Sequence, residues 1–284
     1  MRGNDLFAFI RKRYDIARAR AEGYSKPWTN DPILRAYRFC NVYREWDTET
    51  QWISKHWREP NTSHPDLWFA MLIARTFNWH ETLHAIKFPL PFDNQYANRL
   101  QDILNERNRM GQKIWTGAYM ASTHGKRAAS KHHFFIERVF IPAWYMRNEI
   151  RPVVDDTLES FYNRLLKIPE VGSFTAGQVI ADLKYAKGSP LHQADDWGTW
   201  AVMGPGSKRG LNRVFERDKR TTWSGDSFKE HLGQLQKYID RRVAAVHDMP
   251  AIHAQDLQNC LCEFDKYERV RLGEGFPRSR YNGV

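Results

Sequence analysis

The chain has 284 residues, and its apolar content of 42% with 14% aromatics is ample for a buried core. Its formal net charge of +10 favours a polyanion as partner, because lysines and arginines that neutralise phosphates release counterions. Three cysteines at positions without metal-ligand spacing argue against a disulfide framework, a zinc site and a four-cysteine iron–sulfur cluster.

Nothing in the sequence indicates export or membrane insertion. The apolar stretch 6–10 is too short for a signal peptide and is followed by charged residues, and no segment reaches membrane-spanning length. We therefore expect a cytoplasmic protein in a reducing compartment, without metal or cofactor, that acts as a monomer.

Apolar residues recur at helical spacing in most segments, which predicts an all-α fold. Residues 1–23 form an amphipathic pattern with a basic face, which is either a solvated face or a DNA contact. Asp31-Pro32 is good helix-start chemistry and predicts a helix over 33–46, whose aromatic and polar side chains form either a pocket wall or an ordinary core and surface. Further helices are expected over 67–77 and 94–108. At 117–119 the small residues beside Tyr119 indicate close approach of the backbone to another helix or to a ligand.

Residues 155–183 predict two helices joined by a tight turn. Acidic caps lead into apolar residues spaced for a first helix, which Pro169 ends, and Gly172 is expected to supply a positive φ in the turn. Ser173 then caps a second helix. Such a hairpin directs unpaired backbone N–H groups outward, which suits it to holding a phosphate without reading base sequence.

The string LLKIPEVGSFTAGQVIADL (165–183) resembles the helix-hairpin-helix of the base-excision DNA glycosylase superfamily. The resemblance implies DNA contacts from Val171, Gly172, Ser173 and Thr175. It departs at Glu170, where that family has a glycine and where a carboxylate would repel phosphate. It departs also at Phe174, where glycosylases that cut the backbone carry a lysine, so a Schiff-base lyase reaction is not expected.

An aspartate follows the hairpin of that superfamily by about twenty residues and faces the sugar of the flipped nucleotide. Asp195 and Asp196 follow Gly172 by twenty-three and twenty-four positions and fit this role. A carboxylate there can stabilise positive charge or accept a proton, but the pair could equally cap a following helix.

Two later segments carry further polar candidates. Residues 197–213 hold four glycines, three of them within 204–210, and three basic residues, a composition typical of a loop that wraps phosphate oxygens, although it is not a Walker A motif. In the last segment Asn259, Glu263 and Lys266 are spaced for one face of a helix.

Four strings spread over the chain, at 31–45, 117–119, 195–213 and 259–271, resemble the α-glutamyl/putrescinyl thymine pyrophosphorylase family, which is related to the helical domain of 5-hydroxymethyluracil DNA kinases. That family is implied to act in phage-infected bacteria. The resemblance implies a reaction in which an amine displaces pyrophosphate from 5-(pyrophosphoryloxymethyl)uracil in double-stranded DNA.

The resemblance implies a single glycosylase-like domain over 1–284, with two helical lobes, a cleft between them, a hairpin at 157–183 and a catalytic-loop region at 192–213. Its catalytic candidates are Asp196, Asp195 and Glu263. Its candidates for binding pyrophosphate and the amine or amino-acid co-substrate are Arg38, Asn41, Arg44, Tyr119, Gly204, Gly206, Lys208, Arg209, Asn259 and Lys266.

Two other functions remain open from the sequence. A monofunctional glycosylase that excises a modified base would use the same hairpin and aspartates, and a DNA-binding module without catalytic activity would use the hairpin alone. Transfer to the exocyclic carbon and excision of the base both require the base to be flipped out of the duplex, whereas DNA binding alone does not.

Overall fold

The computed structural model describes residues 1–117, 123 and 125–277, and these residues form helices and loops without a β-strand. The all-α prediction is therefore confirmed for the described part of the chain. The α-helices in chain order are α1 (Gly3–Ala21), α2 (Pro32–Ala36), α3 (Thr48–Ile53), α4 (Leu67–Phe77), α5 (His80–Ile86), α6 (Asn94–Arg109), α7 (Lys131–Phe135), α8 (Ile141–Tyr145), α9 (Arg147–Ile150), α10 (Leu158–Leu165), α11 (Ser173–Leu183), α12 (Pro205–Val214), α13 (Gly225–Val243) and α14 (Ala254–Arg271). Short π-helices follow α3 at Ser54–Arg58 and α7 at Ile136–Phe140.

The chain packs into two compact units, of which unit 1 comprises residues 1–47 and 198–284 and unit 2 comprises residues 48–197. The predicted catalytic-loop region 192–213 thus crosses the boundary between them. No helix among the described residues is both long and apolar enough to span a membrane.

Unit 1 is built on the close packing of α12 against α14. A Cβ added at Gly210 would lie 2.1 Å from the carbonyl oxygen of Leu261, so only glycine allows the two backbones to approach this closely. The long helices α1 and α13 complete a core of apolar side chains such as Leu6, Ile239 and Phe264. This packing fixes the register of α12 and α14, which carry most of the unit's polar candidates.

Unit 2 is organised around α4, all eleven residues of which are buried. A helix that is apolar all round has no solvent face and belongs at the centre of a domain. α11 packs against it, and the buried guanidinium of Arg75 holds the buried carboxylate of Asp182 in a bidentate pair, with Nε–Oδ2 2.6 Å and Nη2–Oδ1 2.5 Å. Arg75 also donates to Asn78 and Thr50, so this network ties the second helix of the hairpin to the centre of unit 2.

The predicted helix over 33–46 is wrong, because α2 ends at Ala36. Asp31 does cap it, accepting from the N–H groups of Ile33 and Leu34, but Tyr37 is already extended (φ −124°, ψ 151°). The following residues form a loop, since the carbonyl groups of Cys40 and Asn41 accept hydrogen bonds from the buried Arg13 instead of helical N–H groups. The predicted helices over 67–77 and 94–108 are confirmed as α4 and α6.

Candidate functional site

The predicted hairpin is present in unit 2 as α10, a tight turn and α11. The prediction that Gly172 has a positive φ is wrong, because Gly172 is extended (φ −92°, ψ 173°) and the left-handed residue is Glu170 (φ +62°). Glu170 occupies the position where the resembled superfamily has a glycine. At this position the turn therefore has the left-handed backbone conformation that favours glycine, although the residue is a glutamate.

The carboxylate of Glu170 forms an ion pair with the ammonium of Lys126. The lysine, which belongs to the same unit, partly neutralises the negative charge of Glu170. Because the pair is partly exposed, water and salt screen it, and its contribution to stability is small.

The four predicted DNA-contact residues differ in exposure. Gly172 and Ser173 are exposed, Thr175 is half-buried, and Val171 is buried with its N–H donating to the carbonyl oxygen of Ile168 at 3.2 Å. α11 begins at Ser173 without a side-chain cap, and N–H groups in the first turn of a helix have no intrahelical acceptor. The backbone at 172–175 is therefore the part of the hairpin suited to a phosphate, whereas the Val171 side chain belongs to the core.

Asp196 caps the first helix of the hairpin. Its two carboxylate oxygens accept the N–H groups of Leu158 at 2.7 Å and Glu159 at 3.1 Å, in the first turn of α10. The alternative role as a helix cap is thus found for Asp196, although the helix precedes it in the sequence instead of following it. Asp195 is exposed. Taking up a proton at Asp196 would weaken a contact that positions the hairpin.

The prediction of a phosphate-wrapping loop at 197–213 is wrong, because most of this segment is helical. Gly204 precedes α12, which runs from Pro205 through the remaining glycines and basic residues to Val214. Gly206 and Gly210 lie against α14, at Cys262 and Leu261 respectively. The glycines at 206 and 210 thus permit helix packing, and the feature of this segment that can still meet an anion is the first turn of α12 with the half-buried Lys208.

Arg209 is bound to a carboxylate of its own chain. Its Nε donates to Oδ2 of the buried Asp265 at 2.8 Å, and its side chain is 40% exposed. One edge of its guanidinium is thereby fixed in place, and the exposed remainder keeps hydrogen-bond donors for a ligand.

The loop after α2 meets α14 in a polar cluster that we call the 38–41 cluster, consisting of Arg38, Cys40, Asn41, Asn259, Glu263 and Lys266. Glu263 accepts the N–H of Cys40 at 3.1 Å and pairs with Lys266 at 2.6 Å. Lys266 also donates to the carbonyl oxygen of Arg38 at 2.8 Å, and the Asn259 amide donates to the carbonyl oxygen of Asn41 at 3.4 Å. The predicted face of Asn259, Glu263 and Lys266 therefore does meet the loop that carries Arg38 and Asn41.

Within this cluster Arg38 is exposed and Glu263 is 8% exposed. The arrangement offers a carboxylate paired with an ammonium group, next to a loop on which the Arg38 side chain is exposed. Such a pair of opposite charges is the chemistry that holds an amino acid or another charged amine.

Arg44 does not belong to an accessible site. It is buried, its N–H donates to Asp256 at 3.1 Å, and its guanidinium lies 3.7 Å from Glu45. A substrate could reach it only if this packing changed.

Arg13 on α1 contacts the 38–41 cluster and was not among the candidate site residues predicted from the sequence. Its buried guanidinium donates to the carbonyl oxygens of Cys40 and Asn41 and lies 3.5 Å from the sulfur of Cys260. The available signal was its position on α1 in register with the apolar Phe9 and Ile10, on the buried side of that helix.

The three cysteines are free thiols. Burial raises the pKa of the Cys260 thiol to about 11 and that of Cys262 to about 12, and it raises the pKa of Cys40 further. A thiol is a nucleophile only as its thiolate, so these cysteines pack as protonated side chains. The described residues contain no group of histidine, cysteine or carboxylate side chains that could hold a metal ion. Tyr119, the remaining predicted ligand residue, lies outside the described residues.

Comparison with known proteins gives a family and one curated relative. The sequence profile of the family described as "5-hmdU DNA kinase, helical domain" matches residues 2–275. A 5-hmdU DNA kinase of Bacillus phage SP10 is 31% identical over 216 residues, which are 69% of this chain and 33% of that protein. The match thus spans about a third of the relative's length. No solved structure matches this chain.

Proposed function

This chain belongs to the family of the 5-hmdU DNA kinase helical domain, and from that premise we propose that it acts in phage thymine modification on bases derived from 5-hydroxymethyluracil in double-stranded DNA. The proposed reaction is the transfer of an amine to the 5-methylene carbon of 5-(pyrophosphoryloxymethyl)uracil. The nitrogen lone pair forms the new C–N bond, the C–O bond breaks, its electron pair leaves with pyrophosphate, and the ammonium proton passes to a carboxylate. The reaction takes place in the cytoplasm of the infected host.

The observation that carries the proposal is the contact between Glu263 and Lys266 in the 38–41 cluster, found in a chain of this family. Glu263 forms an ion pair with the ammonium group of Lys266, and an amine co-substrate presents the same group. We assign Glu263 as the proton acceptor and the exposed Arg38 as the cation for the carboxylate of an amino-acid substrate. The amide of Asn259 holds the loop against α14 by donating to the carbonyl oxygen of Asn41, and the Asn41 amide donates to the carbonyl oxygen of Trp46 farther along the loop.

The departing pyrophosphate needs positive charge where its oxygen separates from carbon. The first turn of α12 supplies backbone N–H groups after Gly204, and Lys208 and Arg209 supply charge. Gly206 supports this site indirectly, because it permits α12 to lie against α14.

The hairpin holds the DNA backbone through the N–H groups of its turn, and it holds the flipped nucleotide near Asp195 and Asp196. Since Asp196 already caps α10, its role in the proposal is to fix the hairpin and to present negative charge to the nucleotide. Asp195, which is exposed, is the member of the pair that can contact the nucleotide.

The test is incubation of the chain with DNA that contains 5-(pyrophosphoryloxymethyl)uracil and with candidate amines, followed by digestion to nucleosides and mass analysis. Transfer yields a nucleoside that contains the amine, together with one pyrophosphate. Release of free base with an abasic site would establish the glycosylase instead, and tight DNA binding without either product would establish a binding module. Glu263→Gln should abolish transfer and leave DNA affinity unchanged, with Glu230→Gln as a matched surface control on α13.

A further inference from the structure

A single buried carboxylate in unit 1 organises three arginines. Asp265 on α14, 1% exposed, accepts Nε of Arg209 at 2.8 Å and Nε of Arg213 at 2.9 Å, and it lies 3.5 Å from Nε of Arg269. We call Arg209, Arg213 and Arg269 the Asp265 arginine cluster. Asp265 accepts a hydrogen bond from Nε of Arg209 and from Nε of Arg213 and so fixes the orientation of those two guanidinium planes. Nε of Arg269 has no hydrogen-bond partner among the described residues, so this arginine is held near Asp265 by charge alone.

The cluster reaches solvent through two of its members. The side chains of Arg209 and Arg269 are 40% and 35% exposed, whereas Arg213 is 7% exposed. An arginine guanidinium carries five N–H donors, and the contact with Asp265 uses those of one edge. The cluster is therefore a preorganised group of donors at the surface of the unit.

The inner member of the cluster is occupied by a carboxylate from the segment that follows α14. Oε2 of Glu274 lies 2.6 Å from Nη2 of Arg213 and 3.2 Å from Nζ of Lys219. The hydrogen bond from Arg213 lowers the pKa of Glu274 below its usual value, so the carboxylate is ionised at neutral pH. One oxygen held between a guanidinium and an ammonium has the surroundings of a bound phosphate oxygen.

The segment that carries Glu274 is held by the end of the helix. Gly273 adopts a positive φ of 68°, and the N–H of Glu274 donates to the carbonyl oxygen of Arg269 at 2.7 Å, which is the hydrogen bond that closes a Schellman motif. Two residues later Phe276 stacks on Tyr37 with ring centroids 6.4 Å apart. Glu274 is thus directed at Arg213 by its backbone.

The charges around Asp265 do not balance. Among the described residues, four cationic side chains, the three arginines of the cluster and Lys219, form ion pairs with two carboxylates, Asp265 and Glu274, which leaves a surplus of two positive charges. A carboxylate offers a single charge and reaches Arg213 and Lys219 with one oxygen. A phosphate or diphosphate group offers more charge and more oxygen acceptors to the same donors.

We propose that the Asp265 arginine cluster with Lys219 is a phosphate-binding site and that Glu274 is an intramolecular competitor, which an incoming phosphate or diphosphate displaces. The inference deepens the proposed function and rests on it only for the identity of the anion as pyrophosphate, because backbone phosphate of DNA has the same chemistry. Asp265 is a positioning residue for the guanidinium groups. The site binds the phosphate group of a product or a substrate only when Glu274 is displaced from Arg213 and Lys219.

The test measures binding of inorganic pyrophosphate to the full chain by calorimetry, without DNA or amine, and separately binding of an unmodified DNA duplex. Glu274→Gln removes the competing charge, and we expect pyrophosphate to bind at least about threefold more tightly, the factor for one unit charge acting across several ångströms of water. Glu230→Gln, an exposed carboxylate on α13, should leave the affinity unchanged. Arg269→Gln should weaken binding of pyrophosphate.

Tighter binding of the duplex alone by Glu274→Gln would identify the anion as backbone phosphate and support the site. If Glu274→Gln and Glu230→Gln bind both ligands as the unaltered chain does, the proposal is overturned. Glu274 lies at the surface, so this comparison stands even if Arg269→Gln fails to fold. The result of this test is separable from that of the proposed function. Pyrophosphate can bind as expected in a chain that transfers no amine. Conversely, amine transfer can occur in a chain whose affinity for pyrophosphate is the same with and without Glu274.

Discussion

Replacing Glu170 with glycine tests the proposed contact between the hairpin and DNA. Glu170 has a φ of +62°, a conformation that costs an L-residue roughly 1–2 kcal/mol and costs glycine almost nothing. The change also removes the ion pair with Lys126, which as a partly exposed pair contributes about 0–1 kcal/mol. Glu170→Gln removes the same charge and keeps the backbone strain, so it separates the two effects.

The effect on DNA follows from the charge at the turn. A unit charge about 6 Å from a phosphate in water contributes about 0.7 kcal/mol, which corresponds to about threefold in affinity. Both variants remove this repulsion and also free Lys126 for a phosphate contact. We therefore expect both to bind duplex DNA at least about threefold more tightly than the unaltered chain, with a salt dependence steeper by about one phosphate contact.

The assays are denaturant unfolding and duplex binding at several salt concentrations. Glu170→Gly should unfold with a free energy about 1 kcal/mol higher than Glu170→Gln, while the two variants bind DNA equally. Equal stability of the variants would refute the assignment of strain to Glu170. An unchanged affinity for DNA in both would refute the assignment of the turn as a phosphate contact.

Three further predictions concern the packing of each unit. Gly210→Ala should destabilise unit 1 by about 1–3 kcal/mol, since the added Cβ would overlap the Leu261 carbonyl oxygen. The control Gly233→Ala on α13 has open space around the added Cβ and should stabilise the unit by about 0.5–1 kcal/mol. Equal effects of the two changes in thermal unfolding would contradict the close packing of α12 against α14. Asp182→Ala should cost about 3–5 kcal/mol in denaturant unfolding because it leaves a buried arginine unpaired, and a loss below 1 kcal/mol would contradict the pair. Although burial opposes ionisation of Glu268, hydrogen bonds from two arginines lower its pKa, so its contribution to folding stability is complete above the usual glutamate pKa and is lost as the pH falls below about 4.5. The stability of Glu268→Gln should therefore depend less on pH in this range. The same acid-unfolding profile for the variant and the unaltered chain would contradict the prediction.

Sequence patterns predicted the elements whose formation depends on local periodicity. α4 and α6 follow from runs of apolar residues, and the hairpin follows from a short motif with Pro169 in its turn. The position of the left-handed residue was missed because Gly172 was the available glycine, while the turn geometry places that conformation at Glu170.

The failures have non-local causes. The helix ends at Ala36, and Arg13 of α1 holds the loop that follows by binding the carbonyl oxygens of Cys40 and Asn41, a contact that no pattern in the loop itself shows. The glycines of α12 were assigned to a phosphate loop because composition does not reveal that Leu261 packs against Gly210. Asp196 caps a helix that begins 38 residues earlier, a contact that sequence spacing does not indicate.

In the candidate site, the face of α14 was predicted correctly and its meeting with Arg38 and Asn41 is observed. Helical spacing of Asn259, Glu263 and Lys266 was sufficient to predict the face, whereas its contact with a loop was not predicted, since a helix was expected over 33–46. The roles of these residues in a reaction remain proposals, because geometry shows which groups meet and catalysis depends on the substrate between them.

The central claim is that this chain replaces pyrophosphate by an amine on a DNA base. The most direct measurement is mass analysis of nucleosides after the chain has acted on DNA that contains 5-(pyrophosphoryloxymethyl)uracil in the presence of an isotopically labelled amine. We predict a nucleoside that carries the label, formed in a one-to-one ratio with free pyrophosphate and absent from reactions of the Glu263→Gln variant. Unlabelled nucleosides with the substrate intact across all amines tested, or abasic sites with released base, would contradict the claim.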